Sequence, residues 1–289
     1  MADALQKQGS LDEAIAEYRE VVGLKADWAD AHLDLGNALA AKGDIDAAIL
    51  EMEEAVRLRP EDAYAHASLC KALREKGDTN GSLAECRRAL KLNPDANLLP
   101  WLHDVYGMLL QVDGDLDGAI SEFSEAARLQ PENPLAHFHV GSALYEKGRQ
   151  KFPAAEEALR EALRLDPNSA DARLALGKLL HSECMQERFG LLDSAHSNDP
   201  VSFETAMTMP LIDCGKAVSE YRKALNLKPN WAEAHFQLAE ALWWIGNAWR
   251  EQALSEYGVA CSLGQANHKF CEEYEYHRQK WDPKHHKRR

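Results

Sequence analysis

Residues 29–62 read ADAHLDLGNALAAKGDIDAAILEMEEAVRLRPED, and this stretch decides the fold. Its first half, Ala29 to Lys42, places Ala31, Leu35, Ala38 and Leu39 at the spacing of one helical face. Gly43-Asp44 interrupts that pattern as a C-terminal glycine followed by a turn residue. The second half, Ile45 to Leu58, lines up Ile45, Ala48, Ile49, Met52, Ala55, Val56 and Leu58. Pro60 stops it, because proline lacks a donor and disfavours helix in the residue before it. Neither helix can bury its stripe alone, whereas antiparallel pairs stacked on the next pair can. Gly36, Ala48 and Ala55 are small enough to let the backbones approach where the helices cross.

The unit recurs in register. The small residue of the second helix falls at Ala14, Ala48, Ser82, Ala119, Ala155, Ala217 and Ala253, in steps of 34, 34, 37, 36, 62 and 36. The terminating proline returns at Pro60, Pro94, Pro131, Pro167 and Pro229. The close-approach site returns as Gly36, Cys70, Gly107, Gly141, Gly177 and Ala239, all small. On these residues the chain resembles the tetratricopeptide repeat family, whose pattern falls on His32, Leu35, Gly36, Ala48, Met52, Ala55 and Pro60. The resemblance covers roughly residues 5–263 and implies an all-α fold. That fold is a right-handed α-solenoid of helical hairpins with a C-terminal capping helix.

The array is expected over 1–265, as a partial repeat at about 1–28 and repeats at 29–62, 63–96, 97–133, 134–169, 170–231 and 232–265. Repeat 4 adds Asn97 to Leu99 ahead of Pro100, which suits the first turn of a helix. Repeat 5 carries two extra residues in GRQKFP, lengthening the turn between its helices. Repeat 6 starts normally at Ala170 but reaches its second helix only near Asp213, so an insertion lies at about 183–212. It holds a loop signal, SAHSNDP, and a possible short helix, SFETAMTM. After Gly264, residues 266–280 read as a polar-faced capping helix, and 281–289 (WDPKHHKRR) as a basic tail.

Composition narrows the function. The net charge of −14 disfavours nucleic acid, since phosphate binding needs clustered Lys and Arg. No apolar run is long enough for a membrane span, and MADALQKQGS shows no signal-peptide pattern. Six cysteines are too few for a disulfide scaffold. Cys70 and Cys86 fall on packing positions and read as small core residues. A reduced, cytoplasmic protein is expected.

No phosphate-binding GxxxxGK, no GxGxxG after a strand and no GxSxG is present. His181-Ser182-Glu183 fits a deaminase HxE only superficially, because PCxxC is missing. No catalytic residue and no cofactor are therefore expected. His32, His66, His103, His137 and His235 share position 4 of five repeats, about 10 Å apart, too far for one metal and so read as structural. His181, Cys184, His196 and Cys214 flank the insertion at irregular spacing without CxxC, and His268 with Cys271 is a weaker pair; the expectation is no metal.

In the resembled family the first helices line the concave face and bind partner polypeptides. Carried over position by position, the groove residues are Asn37, Tyr64, Lys71, Arg74, Trp101, Met108, Phe138, His139, Tyr145, Leu174, Phe236 and Trp243; the same mapping also gives Asp30, Leu33, Asp34, Asp104, Leu135, Ser142, Asp171, Lys178, Glu233, Gln237 and Glu240. The family's clamp for chaperone tails is absent: of its positions only Asn37 matches among Leu33, Asn37, Ser68, Trp101 and Val105. The leading reading is a non-catalytic scaffold holding a protein or peptide segment in the groove. One alternative is a self-assembling structural protein. Its incomplete N-terminal repeat (Leu5, Leu11, Ile15, Val22) would accept a neighbour's end and give a homo-oligomer or filament. The other is the repeat segment of a larger multidomain enzyme.

Overall fold

The computed structural model describes residues 11–195, 214–264 and 267–280. The described residues form helices and turns, with no strand among them. Two compact units result, Met1–Lys147 and Gly148–Arg289. The first contains α1 (Leu11–Leu24), α2 (Ala29–Lys42), α3 (Ile45–Leu58), α4 (Ala63–Lys76), α5 (Thr79–Lys91), α6 (Leu99–Asp113), α7 (Leu116–Leu129) and α8 (Pro134–Lys147). The second contains α9 (Phe152–Leu165), α10 (Ala170–Ala195), α11 (Cys214–Leu227), α12 (Ala232–Ile245), α13 (Arg250–Leu263) and α14 (His268–Lys280). Within each unit every helix packs on its sequence neighbours, and first helices of successive repeats also touch, α2 with α4, α6 with α8, and α10 with α12. Each unit is thus a run of α-solenoid hairpins.

The turn inside a repeat is written by two residues. Gly43, Gly77 and Gly114 adopt φ of +93°, +87° and +88°, a left-handed conformation that glycine enters without a Cβ penalty. The next residue caps the second helix: Asp78 accepts from Gly81 N at 2.9 Å and Asp115 from Gly118 N at 2.9 Å. Repeats 5 and 7 differ in the same way. Gly148 and Gly246 take φ of +109° and +145°, and a short 3-10 turn (Arg149–Lys151, Asn247–Trp249) precedes the second helix. Pro100 sits in the first turn of α6, as its missing donor requires.

Hairpins close on the small-residue site. A Cβ on Gly36 would lie 2.8 Å from Met52 Cγ, on Gly107 2.7 Å from the Phe123 ring, and on Gly177 2.5 Å from the Tyr221 ring. Repeat 3 puts Cys70 and Cys86 at that contact, and they are joined by a disulfide, with Cα atoms 5.3 Å apart. Cys184 joins Cys214 and Cys261 joins Cys271, so all six cysteines are paired. The expectation of reduced core cysteines is corrected. For Cys70 and Cys86 the reason is positional: the two sites pack face to face in each repeat, as Gly107 does on Phe123 and Gly177 on Tyr221, and bring two thiols within bonding reach when both are cysteine.

The position-4 residues tie hairpins to the preceding turn. His66 Nδ1 meets Glu85 Oε2 at 2.5 Å and Nε2 meets the Pro60 carbonyl at 3.0 Å. His32 does the same with Glu51 (2.7 Å) and the Ala26 carbonyl (3.0 Å), and His235 with Glu256 (2.6 Å) and the Pro229 carbonyl (2.9 Å). In repeat 6 Arg173 stands in that place, donating to Glu220 at 3.0 Å and to the Pro167 carbonyl at 2.6 Å. Both partners accept, so the position calls for a side chain that donates in two directions. Arginine meets that need outright.

The insertion begins as helix rather than loop. The α10 helix runs 26 residues to Ala195, because ECMQER offers helix formers and no breaker. SAHSNDP beyond Ala195, the SFETAMTM segment, the tail 281–289 and Leu5 lie outside the described residues.

Candidate functional site

In the first unit the first helices α2, α4, α6 and α8 form one continuous wall. Three side-chain contacts, each spanning one repeat, register α4, α6 and α8: Arg74 Nη1 with Met108 Sδ at 4.0 Å, His139 Nδ1 with Asp104 Oδ1 at 2.5 Å, and Gln111 Nε2 to Glu146 Oε2 at 2.8 Å. Asn37 and Lys71 line one cavity of about 330 Å³ with Ser68 and Glu75, between α2 and α4. Arg74 is half-buried, and its Nε has no hydrogen-bond partner among the described residues. Met108, Phe138, His139 and Tyr145 are half-buried, and the Phe138 and His139 rings lie 5.5 Å apart.

Apolar side chains stand out of this wall at one register. Tyr64, Trp101 and Leu135 occupy position 2 of α4, α6 and α8 and are 53%, 37% and 51% exposed. The equivalent residue elsewhere is acidic: Asp30, Asp171 and Glu233. A second hollow of about 680 Å³ runs past Tyr64 over the turns at 58–63 and 93–95 to Leu98. The position-by-position mapping included Leu135, but only the exposure of all three residues makes them a row.

In the second unit the groove candidates are taken up by packing. Leu174 and Phe236 are 6% and 5% exposed. Phe236 stacks on Phe270 of α14 at 4.7 Å, so the capping helix covers it. Trp243 lies 4.0 Å from the His277 ring, with the Arg250 guanidinium 4.9 Å from its centroid. Lys178 and Glu233 pair across α10 and α12 at 2.9 Å.

Burial perturbs several groups here. The His181 imidazole is lowered from 6.5 to about 4 by burial, its ring edge-on to Tyr221 at 6.5 Å. Burial likewise lowers His277 to about 4, reinforced by Lys280 and Arg250. Glu240 is pushed up by burial, against the hydrogen bond it accepts from the Tyr257 hydroxyl. Cys184 and Cys214 are bonded to each other, and Cys271 to Cys261, so their thiols are not available as metal ligands.

The family model described as TPR repeat matches residues 2–43 and 113–148. The one described as tetratricopeptide repeat matches 33–97 and 148–183. No curated protein matches the chain. Among solved structures, YrrB, titled a TPR protein with an unusual peptide-binding site, superposes with a TM-score of 0.56 at 16% identity, over 75% of this chain and 95% of that one. The C-terminal part of a TPR repeat-containing protein from Cytophaga hutchinsonii gives 0.62 at 17% identity, over 94% and 97%. PilF of Pseudomonas aeruginosa gives 0.61 at 19% identity, over 86% and 97%. At these identities the likeness is one of fold.

Proposed function

The chain belongs to the tetratricopeptide repeat family, and from that premise we propose that it is a non-catalytic scaffold gripping an extended polypeptide on the first-helix wall of its first unit. Repeats of this family generally mediate protein–protein interaction. The observation that carries the reading is the row Tyr64, Trp101 and Leu135, exposed at one register on the first helices of three successive repeats. Exposed aromatic anchors of this kind often contribute on the order of 2 kcal/mol each to a protein interface. The cavity lined by Asn37, Ser68, Lys71 and Glu75 adds polar groups that fix the orientation of a bound segment. Leu174 and Phe236 are left out of the site, being packed.

Three disulfides favour an oxidising compartment over the cytoplasm, because reducing compartments keep such thiols free. Among the described residues no helix is long and apolar enough to cross a membrane. The test is selection of peptides from a random library on the immobilised chain, followed by calorimetric titration of the winners. Trp101→Ala should weaken them by roughly thirtyfold and Tyr64→Ala by roughly tenfold or more. Selected peptides that bind both variants as tightly as the parent would remove the proposal.

A further inference from the structure

Resting on the reading of the first-helix wall as a peptide site, we propose that the cavity between α2 and α4 seats the side chain of a glutamine in the bound segment. Asn37, Ser68, Lys71 and Glu75 line this space of about 330 Å³. Ser68 is 9% exposed, Asn37 is half-buried, and Lys71 and Glu75 are exposed. Among the described residues none of these four side chains has a hydrogen-bond or ion-pair partner. Buried hydroxyls ordinarily have one, and the space that Ser68 lines is where a ligand can supply it. Other cations of the first helices are already engaged: Lys42, Lys76 and Lys147 pair with Asp12, Asp46 and Asp117. Arg74 meets Met108 Sδ and does not line the cavity.

Packing of the repeat does not require these polar groups. In α6, the next first helix, Val105, Met108 and Val112 hold the places of Ser68, Lys71 and Glu75. Lys71 and Glu75 are i and i+4 on α4, with lysine first, the weaker order for a helix ion pair. They do not pair, so the cavity offers a cation and a carboxylate on successive turns. An acidic ligand side chain gains from Lys71 and is repelled by Glu75, and a basic one meets the reverse. A carboxamide suits both: its oxygen accepts from the Lys71 ammonium while its NH₂ donates to the Glu75 carboxylate. Asn37 and Ser68, each both donor and acceptor, complete the set. Ala40 and Met52 give apolar lining for the methylenes of glutamine, the longer of the carboxamide side chains.

The test uses peptides selected on the immobilised full chain. Each glutamine in a winner is replaced in turn by alanine, glutamate or lysine, and affinity is measured by calorimetry. Replacing the seated glutamine by alanine should weaken binding by roughly tenfold or more, with glutamate and lysine no better than alanine. Lys71→Met and Glu75→Val, the residues that α6 carries, should each weaken the glutamine peptide by roughly tenfold and leave the alanine peptide unchanged. Glu75→Val should also let the glutamate peptide overtake the glutamine one, since only the cation then remains. Trp101→Ala weakens every peptide and so reports on the wall itself. Winners that need Trp101 but lose nothing on exchange of any glutamine, or that bind Lys71→Met and Glu75→Val as tightly as the parent, overturn the glutamine seat and leave the wall reading intact. No winner at all removes both.

Discussion

Adding one methyl group at Gly107 puts the packing of the hairpins to a quantitative test. A Cβ there would lie 2.7 Å from both Cδ1 and Cε1 of Phe123, which is 0% exposed. Carbon atoms sit comfortably at about 3.5–4.0 Å, so the ring must retreat by about 1 Å in a buried site that also holds the His139 ring, 5.1 Å away between centroids. Overpacking of this kind costs about 1–3 kcal/mol. Replacing a mid-helix glycine by alanine returns about 1 kcal/mol of helix propensity. The net for Gly107→Ala is a loss of about 1 kcal/mol. Phe123→Leu removes the obstructing ring edge, and in that background the same change should turn neutral or stabilising, a coupling of about 1–2 kcal/mol. Gly23→Ala, with nothing within 4 Å of its Cβ, is the control and should not destabilise. Urea unfolding followed by circular dichroism gives the values, with the slope watched alongside the midpoint because repeat arrays lose cooperativity easily. A stabilised Gly107→Ala, or the same change in both backgrounds, would refute the close-approach argument.

Three further outcomes are expected. His66→Leu should cost about 2 kcal/mol, leaving Glu85 and the Pro60 carbonyl unmet, whereas His66→Arg should recover most of it, as Arg173 does in its own repeat. Equal losses in thermal melts of the two variants would contradict the two-way-donor role. The native chain should show no thiol reactive to Ellman's reagent until denatured and reduced, and Cys70→Ser/Cys86→Ser should lose about 3 kcal/mol, from the 16-residue separation the bridge closes; free thiols in the oxidised native protein count against the pairing. Acid should weaken the fold through His181. Its folded pKa of about 4 lies below the ordinary 6.5, so the unfolded chain takes up the proton first. That contribution is complete above pH 6.5 and falls away between 6.5 and 4, by about 3 kcal/mol. His181→Gln, which does not titrate, should lose that share of the acid sensitivity, and identical pH profiles for the two proteins would dismiss it.

Much of the backbone was legible because each repeat spells its own punctuation. Gly43-Asp44, Gly77-Asp78 and Gly114-Asp115 set both a helix stop and the next helix cap within two residues. Local chemistry decides such features, so a single sequence carries them. The Cys70–Cys86 disulfide was hidden by the same regularity, since a cysteine on a packing position is chemically at home there as a small apolar residue. Knowing that positions 70 and 86 face each other in register was the missing step. Phe236 stands at a groove register, but α14 lays Phe270 across it, a contact between helices that no local pattern announces.

Photo-crosslinking tests the central claim most directly. A photoreactive phenylalanine analogue is placed either at Trp101 on the first-helix wall or at Ser124, exposed on the second helix of the same repeat. A library-selected peptide should be captured from position 101 and not from 124. Capture from 124 with none from 101 would contradict the account.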